Sequence, residues 1–128
     1  MTLFPTYSEG LKTFERGTTM KRITDVLDNL DVKYNIGDGI ALVEFWTDTA
    51  GQDIPTEFYF DGTPQNFVDN FTALADEYDV DEQVEFYADN RGKYGIPSTI
   101  REILDDCEEA KQTLTEIAEA LQQAMKGE

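Results

Sequence analysis

From Tyr34 to Asn90 the chain runs for 57 residues without a lysine, arginine or histidine, and that stretch carries 14 acids. Residues 1–33 hold five acids and five bases, and residues 91–128 hold eight acids and five bases. Of the net charge of −17, therefore, −14 falls in the middle of the chain. Any fold of this segment must leave those carboxylates in water, because a buried, unpaired carboxylate costs several kcal/mol. A field of that size repels nucleic acid and acidic membranes and attracts basic protein surfaces.

The segment nevertheless reads as folded. A disordered acidic tail is poor in aromatics, whereas this one is rich in them, from Phe45 and Trp46 through Phe58, Tyr59, Phe60, Phe67 and Phe71 to Phe86 and Tyr87. At 128 residues the expected organisation is one domain, 1–128, with a core that needs no staples. A single cysteine forms no intramolecular disulfide, and no apolar run approaches a membrane span. Met1 to Gly10 lacks the apolar core of a signal peptide, so a soluble, cytoplasmic protein is expected.

Residues 1–17, with Pro5, Gly10 and Gly17, read as an irregular or short helical lead-in held by Leu3, Phe4, Tyr7, Leu11 and Phe14. Met20, Ile23, Leu27 and Leu30 then recur at helical spacing behind an N-cap at Thr18 or Thr19. Val32, Tyr34 and Ile36 alternate as a strand that ends at the turn signal Gly37-Asp38-Gly39. Ile40–Thr47 and Ile54–Phe60 are the next strands, joined by a loop over 48–53. Thr63-Pro64 is an N-cap followed by proline at the first helical position, and Phe67, Phe71, Leu74, Ala75 and Tyr78 form the stripe of that helix. Gln83–Ala88 alternates and is expected to be a fourth strand. The Thr99–Glu102 capping box opens the longest helix, whose stripe runs from Ile100 to Met125.

These elements predict an α+β fold: a four-stranded, mainly antiparallel sheet covered on one face by about three helices, with a long C-terminal helix. Alternation then places Glu44, Trp46, Glu57, Tyr59, Glu85 and Tyr87 on the uncovered face, one glutamate beside one aromatic on each of three strands.

The residue inventory argues against catalysis. Without histidine there is no imidazole triad or shuttle. Cys107 lies on the apolar stripe of the last helix among Asp106, Glu108 and Glu109, surroundings that raise a thiol pKa, and it reads as a small buried residue. No phosphate loop, dinucleotide fingerprint or nucleophile elbow is present, and among 27 acids no carboxylate pair stands out. The densest acidic run, Asp76, Glu77, Asp79, Asp81 and Glu82, fails the calcium-loop pattern, since position 6 counted from Asp79 is Val84 and position 12 is Asn90. It reads as a helix end followed by a solvated turn, in which the acids oppose the helix dipole. Arg91 and Lys93 are expected to neutralise Asp89 and the acidic sheet edge. No cofactor or metal is expected.

What remains is the surface. Carboxylates two apart on a strand lie ~6.8 Å apart and neighbouring strands ~4.8 Å, while duplex DNA carries one charge per roughly 1.7 Å of axis. A rigid acidic domain with embedded aromatics can occupy a Lys/Arg-lined nucleic-acid channel, its carboxylates replacing phosphates and Trp46, Tyr59 and Tyr87 anchoring it. The sheet residues and the acidic run Asp76–Glu82 are the expected contact points. The partner is then a basic nucleic-acid-binding protein, with no direct contact to nucleic acid or membrane. The alternative is a non-mimetic interaction module, dimeric through its helices or using the exposed aromatics.

From about Leu42 to Leu121 the chain resembles small acidic proteins of conjugative elements and plasmids of Gram-positive bacteria. The resemblance lies in Glu44-Phe-Trp-Thr-Asp-Thr-Ala-Gly-Gln-Asp-Ile-Pro-Thr-Glu57, Asp61-Gly-Thr63, Asp79-Val-Asp-Glu82 and Arg91-Gly-Lys-Tyr-Gly-Ile-Pro-Ser-Thr-Ile-Arg-Glu102. It carries over no catalytic residue. It implies a mobile-element setting, where anti-CRISPR and anti-restriction inhibitors are often small, acidic and nucleic-acid-mimicking. The expected role is inhibition of a CRISPR effector or restriction enzyme.

Overall fold

The computed structural model describes residues 8–47, 53–93 and 95–126. The element order is α1 (Ser8–Asn29), β1 (Lys33–Gly37), β2 (Ile40–Trp46), β3 (Asp53–Tyr59), α2 (Pro64–Glu77), α3 (Val80–Asp89) and α4 (Ile100–Lys126). The architecture is α+β, with an antiparallel three-stranded sheet in the order β1-β2-β3 and a long C-terminal helix. No described helix is long and apolar enough to cross a membrane.

The chain departs from expectation at two elements. The first is α1, which begins by Ser8 and runs through Gly10, Gly17, Thr18 and Thr19 instead of starting at a threonine cap. Glycine inside a helix costs only about 1 kcal/mol, and no proline intervenes between Pro5 and Pro55, so nothing stops the helix. Thr19 is buried, and its Oγ1 accepts a hydrogen bond from Arg22 Nη2 at 3.3 Å. The expected packing of Leu3, Phe4, Tyr7, Leu11 and Phe14, and the loop over 48–52, lie outside the side chains and residues described.

The second is the expected fourth strand, which is helix α3. Asp79 is its N-cap, with Oδ1 accepting from Glu82 N at 3.2 Å, and Asp81 and Glu82 occupy the first turn. Val80, Gln83, Val84 and Tyr87 repeat at i, i+3, i+4 and i+7, which is helical spacing. A six-residue alternation does not separate strand from helix; the Asp79-x-x-Glu82 cap was the deciding signal.

The remaining elements follow their sequence signals. Asp38 (φ 47°) and Gly39 (φ 80°) form the two-residue turn between β1 and β2, which requires left-handed backbone at both positions. Gly39 O also accepts from Phe60 N at 2.7 Å, so the turn closes against the end of β3. Thr63 caps α2 with its side chain accepting from Asn66 N, and Pro64 fills the first helical position. Asp61 Oδ1 accepts from the Thr63 backbone and hydroxyl, and those hydrogen bonds hold its carboxyl below the ordinary range. Thr99 Oγ1 accepts from Glu102 N at 3.2 Å, the predicted cap of α4.

The core forms where one face of the sheet meets α1, α2 and α4. Ala41, Val43 and Phe45 of β2 and Ile54 and Phe58 of β3 join Ile23 and Leu27 of α1, Phe67 and Phe71 of α2, and Leu114, Ile117 and Leu121 of α4. Phe67 stands edge-on to Phe58 and Phe60 at centroid distances of 5.0 and 5.3 Å, the arrangement the ring quadrupoles favour. Helix α3 buries no residue fully and packs against α4.

A Cβ at Gly39 would stand 2.8 Å from Phe60 O. Gly39→Ala is expected to destabilise the fold by at least ~1–2 kcal/mol, the cost of left-handed backbone for an L-residue, read as a lower urea midpoint at unchanged slope.

Candidate functional site

The open face of the sheet is built by the pleat. In β2, Ala41, Val43 and Phe45 point into the core, so Ile40, Leu42, Glu44 and Trp46 point away from it. In β3 the inward set is Ile54, Thr56 and Phe58, leaving Asp53, Pro55, Glu57 and Tyr59 outward. Cross-strand register pairs Trp46 with Asp53, Glu44 with Lys33 and Pro55, Leu42 with Glu57, and Ile40 with Tyr59. Glu44, Trp46, Glu57 and Tyr59 thus share one face, as alternation predicted. Trp46 is 56% exposed and Tyr59 71%. Three carboxylates surround an apolar patch, and Lys33 faces Glu44 at the β1 edge.

Glu85 and Tyr87 do not belong to that face. They lie on α3, where Glu85 is exposed and Tyr87 is half-buried. The inward and outward aromatics of this segment are also exchanged relative to expectation: Phe86 is 59% exposed, and Tyr87 packs edge-on to it at 5.4 Å. Helical geometry turns successive residues by 100°, so the strand-based assignment of opposite faces fails here.

The acidic run forms a second surface around the α2–α3 junction. Asp76, Glu77, Asp79, Asp81, Glu82, Glu85 and Asp89 are all exposed, and no base intervenes in that sequence. Its electrostatics differ from the expected solvated turn. Asp79, Asp81 and Glu82 sit at the N-terminus of α3, where negative charge is favourable by a few tenths to about 1 kcal/mol each. Asp76 and Glu77 oppose the dipole at the end of α2, and Asp89 opposes it at the end of α3. At the α2 end Lys111 of α4 supplies a cation, its Nζ donating to the carbonyls of Ala75 and Asp76. The acids are thus largely accommodated by local structure. Arg91 and Lys93 are exposed in the turn after α3, beside Asp89 and not at a sheet edge. Among the described residues no group of three or more carboxylate or thiol side chains is placed to hold a metal ion.

Beside Trp46 lies a cleft of about 410 Å3 between the end of α1, β2 and α4. Val32, Phe45 and Ile117 contribute apolar lining, and Asp31 and Glu116 bring carboxylates. A smaller cleft of about 240 Å3 shares Asp31, Phe45 and Trp46 but also contains Lys33. Directly after Trp46, the buried Thr47 hydroxyl donates to the buried Asp106 carboxylate of α4, fastening the end of β2 to that helix. The alternation pattern identified Trp46, but Asp31 and Glu116 come from distant chain positions and carried no sequence signal. Exposed Glu102, Asp105, Glu108 and Glu119, spaced along the outer side of α4, were legible in the sequence as a helical stripe and were not singled out.

Cys107 is buried, and burial pushes its thiol pKa up; the hydrogen bond from Tyr78 works the other way and the Asp106 charge adds to the rise. Burial also raises the Tyr78 and Tyr87 hydroxyls, with the neighbouring Cys107 adding to both. The thiol therefore stays protonated and enclosed at neutral pH, a poor nucleophile.

No protein family, curated protein or solved structure matches this chain.

Iodoacetamide at neutral pH is expected to leave Cys107 unmodified in the native protein and to alkylate it only as urea unfolds the chain. Replacing Thr47 by valine removes the hydroxyl from Asp106 and is expected to cost about 1–3 kcal/mol, measured by thermal or urea unfolding.

Proposed function

We propose that this protein is an acidic inhibitor that occupies the basic nucleic-acid groove of a host defence protein, a CRISPR effector or restriction enzyme. The observation that carries the reading is the run of seven exposed carboxylates from Asp76 to Asp89 with no base among them. Asp81, Glu85 and Asp89 repeat every four residues, a rise of ~6 Å per charge along the helix. A nucleic-acid strand carries one phosphate per about 3.4 Å of axis, so α3 offers a sparser version of the same linear charge. The neighbouring acids of the junction add to its density. The sheet face, with Glu44, Asp53 and Glu57 around Trp46 and Tyr59, supplies a second acidic surface with the apolar anchors that charge alone lacks. Residence on a mobile element, implied by the resemblance noted above, gives such an inhibitor a purpose.

A second reading is a non-mimetic interaction module. It is favoured by the exposure of Phe86 on α3 and of Ile100 and Leu104 on α4. The main stripe of α4 is spent on the core, so dimerisation through helices would have to use these residues.

The two readings separate on salt and on competition. Tagged protein incubated with a bacterial lysate is expected to retain a nucleic-acid-binding protein at low salt. Duplex DNA or guide RNA should displace that protein, and high salt should release it. Glu85→Lys with Asp89→Lys should weaken this capture at least tenfold without lowering thermal stability, since a cation near the C-terminus of α3 is favourable. Capture that survives high salt and ignores nucleic acid would reject mimicry and leave the apolar module.

A further inference from the structure

We infer that the cleft beside Trp46 is a socket for an arginine side chain of the basic partner. The inference rests on the reading that the acidic surface meets a basic protein, though not on that protein binding nucleic acid. The cleft combines three features found on different elements. Its wall is an indole more than half exposed. Its lining includes the exposed Leu30 beside the buried Val32, Phe45 and Ile117. It also carries two carboxylates, Asp31 from the turn after α1 and Glu116 from α4, and no base lines it among the described residues.

Each feature excludes a class of occupant. An anion meets two carboxylates in a chain of net charge −17. A wholly apolar side chain would strip water from Asp31 and Glu116 without replacing their hydrogen bonds. A lysine satisfies the charge, but its compact ammonium is strongly hydrated and cannot stack. Arginine meets all three requirements. Its methylene stem lies on apolar surface, its planar guanidinium stacks on indole, and its forked donors serve carboxylates. The smaller adjoining cleft is a poorer choice because Lys33 lines it. The Thr47–Asp106 bond fastens the end of the strand that carries Trp46 to α4, the helix that supplies Glu116.

Trp46 is the single tryptophan of the chain, so tryptophan emission reports on the indole that walls this cleft, and the Asp31 and Glu116 variant separates the cleft from the adjoining sheet face. Full-length protein is titrated with an oligo-arginine peptide and with an oligo-lysine peptide of equal length, at matched ionic strength. Oligo-arginine is expected to change Trp46 emission saturably and to bind about 2- to 5-fold tighter than oligo-lysine, the size of an exposed cation–π contact. The Asp31→Gly, Glu116→Gln double variant should lose that preference. Asp31 has φ 57°, a conformation glycine adopts without strain, and a glutamine can keep the hydrogen bond Glu116 accepts from Gln112, so the fold should survive. The Glu85→Lys, Asp89→Lys variant, altered outside the cleft, should keep the preference. Equal binding of both peptides with unchanged Trp46 emission would overturn the socket while leaving a basic partner in place. Failure of both peptides to bind would overturn the socket and the basic partner together.

Discussion

The apolar stripe of α4 is the interaction on which the rest of the structure depends. This helix touches α1, α2 and α3, and its Ala110, Leu114, Ile117 and Leu121 belong to the same core as the inner face of the sheet. A chain of net charge −17 is pushed apart by its own field. Magnitudes decide the contest. A fully buried leucine, isoleucine or phenylalanine contributes roughly 1.5–3 kcal/mol, whereas like charges at helical spacing on a surface cost a few tenths each. A handful of buried side chains on α4 and α2 therefore outweighs many exposed carboxylates. The acidity is tolerable because nearly all of it lies outside, and the buried Asp106 accepts the Thr47 hydroxyl.

Local structure softens the repulsion further. Asp79, Asp81 and Glu82 lie at a helix N-terminus that favours them, and Asp61 accepts the donors of Thr63 before α2. At the end of α2, where Asp76 and Glu77 oppose the dipole, α4 reaches across with Lys111. These arrangements lower the local cost of the acids before α2 and at the start of α3. What they leave intact is the exposure of the acidic run and its excess of acids over the few bases near it, Lys111, Arg91 and Lys93, and the proposed inhibition rests on those properties.

The two acidic surfaces have different characters. The α2–α3 junction is an exposed row of carboxylates, a composition suited to long-range attraction of a basic surface. The sheet face and its cleft are smaller, and they place an indole and a phenol among three carboxylates, a composition suited to short-range selection. Steering by one surface and discrimination by the other is a division of labour consistent with how charge and buried anchors contribute to binding.

Much of this was legible in the residues. Asp38-Gly39, Thr63-Pro64 and Thr99–Glu102 announced a turn and two helix starts, because each solves a local backbone problem in which distant residues play little part. Alternation in β2 and β3 correctly assigned Glu44, Trp46, Glu57 and Tyr59 to one face, since the strand period is set by the backbone itself. The segment Gln83–Ala88 was misassigned because its short alternation also fits a helix, and packing against α4 accompanies the helical choice. The sequence by itself determined that a strongly acidic surface must exist, because unpaired carboxylates are costly to bury. Only the tertiary structure decided that this surface divides between a helix junction and a sheet, and that Asp31 and Glu116, 85 positions apart, meet beside Trp46. Contacts between distant residues are fixed by how helices close over a core, and no local pattern encodes them.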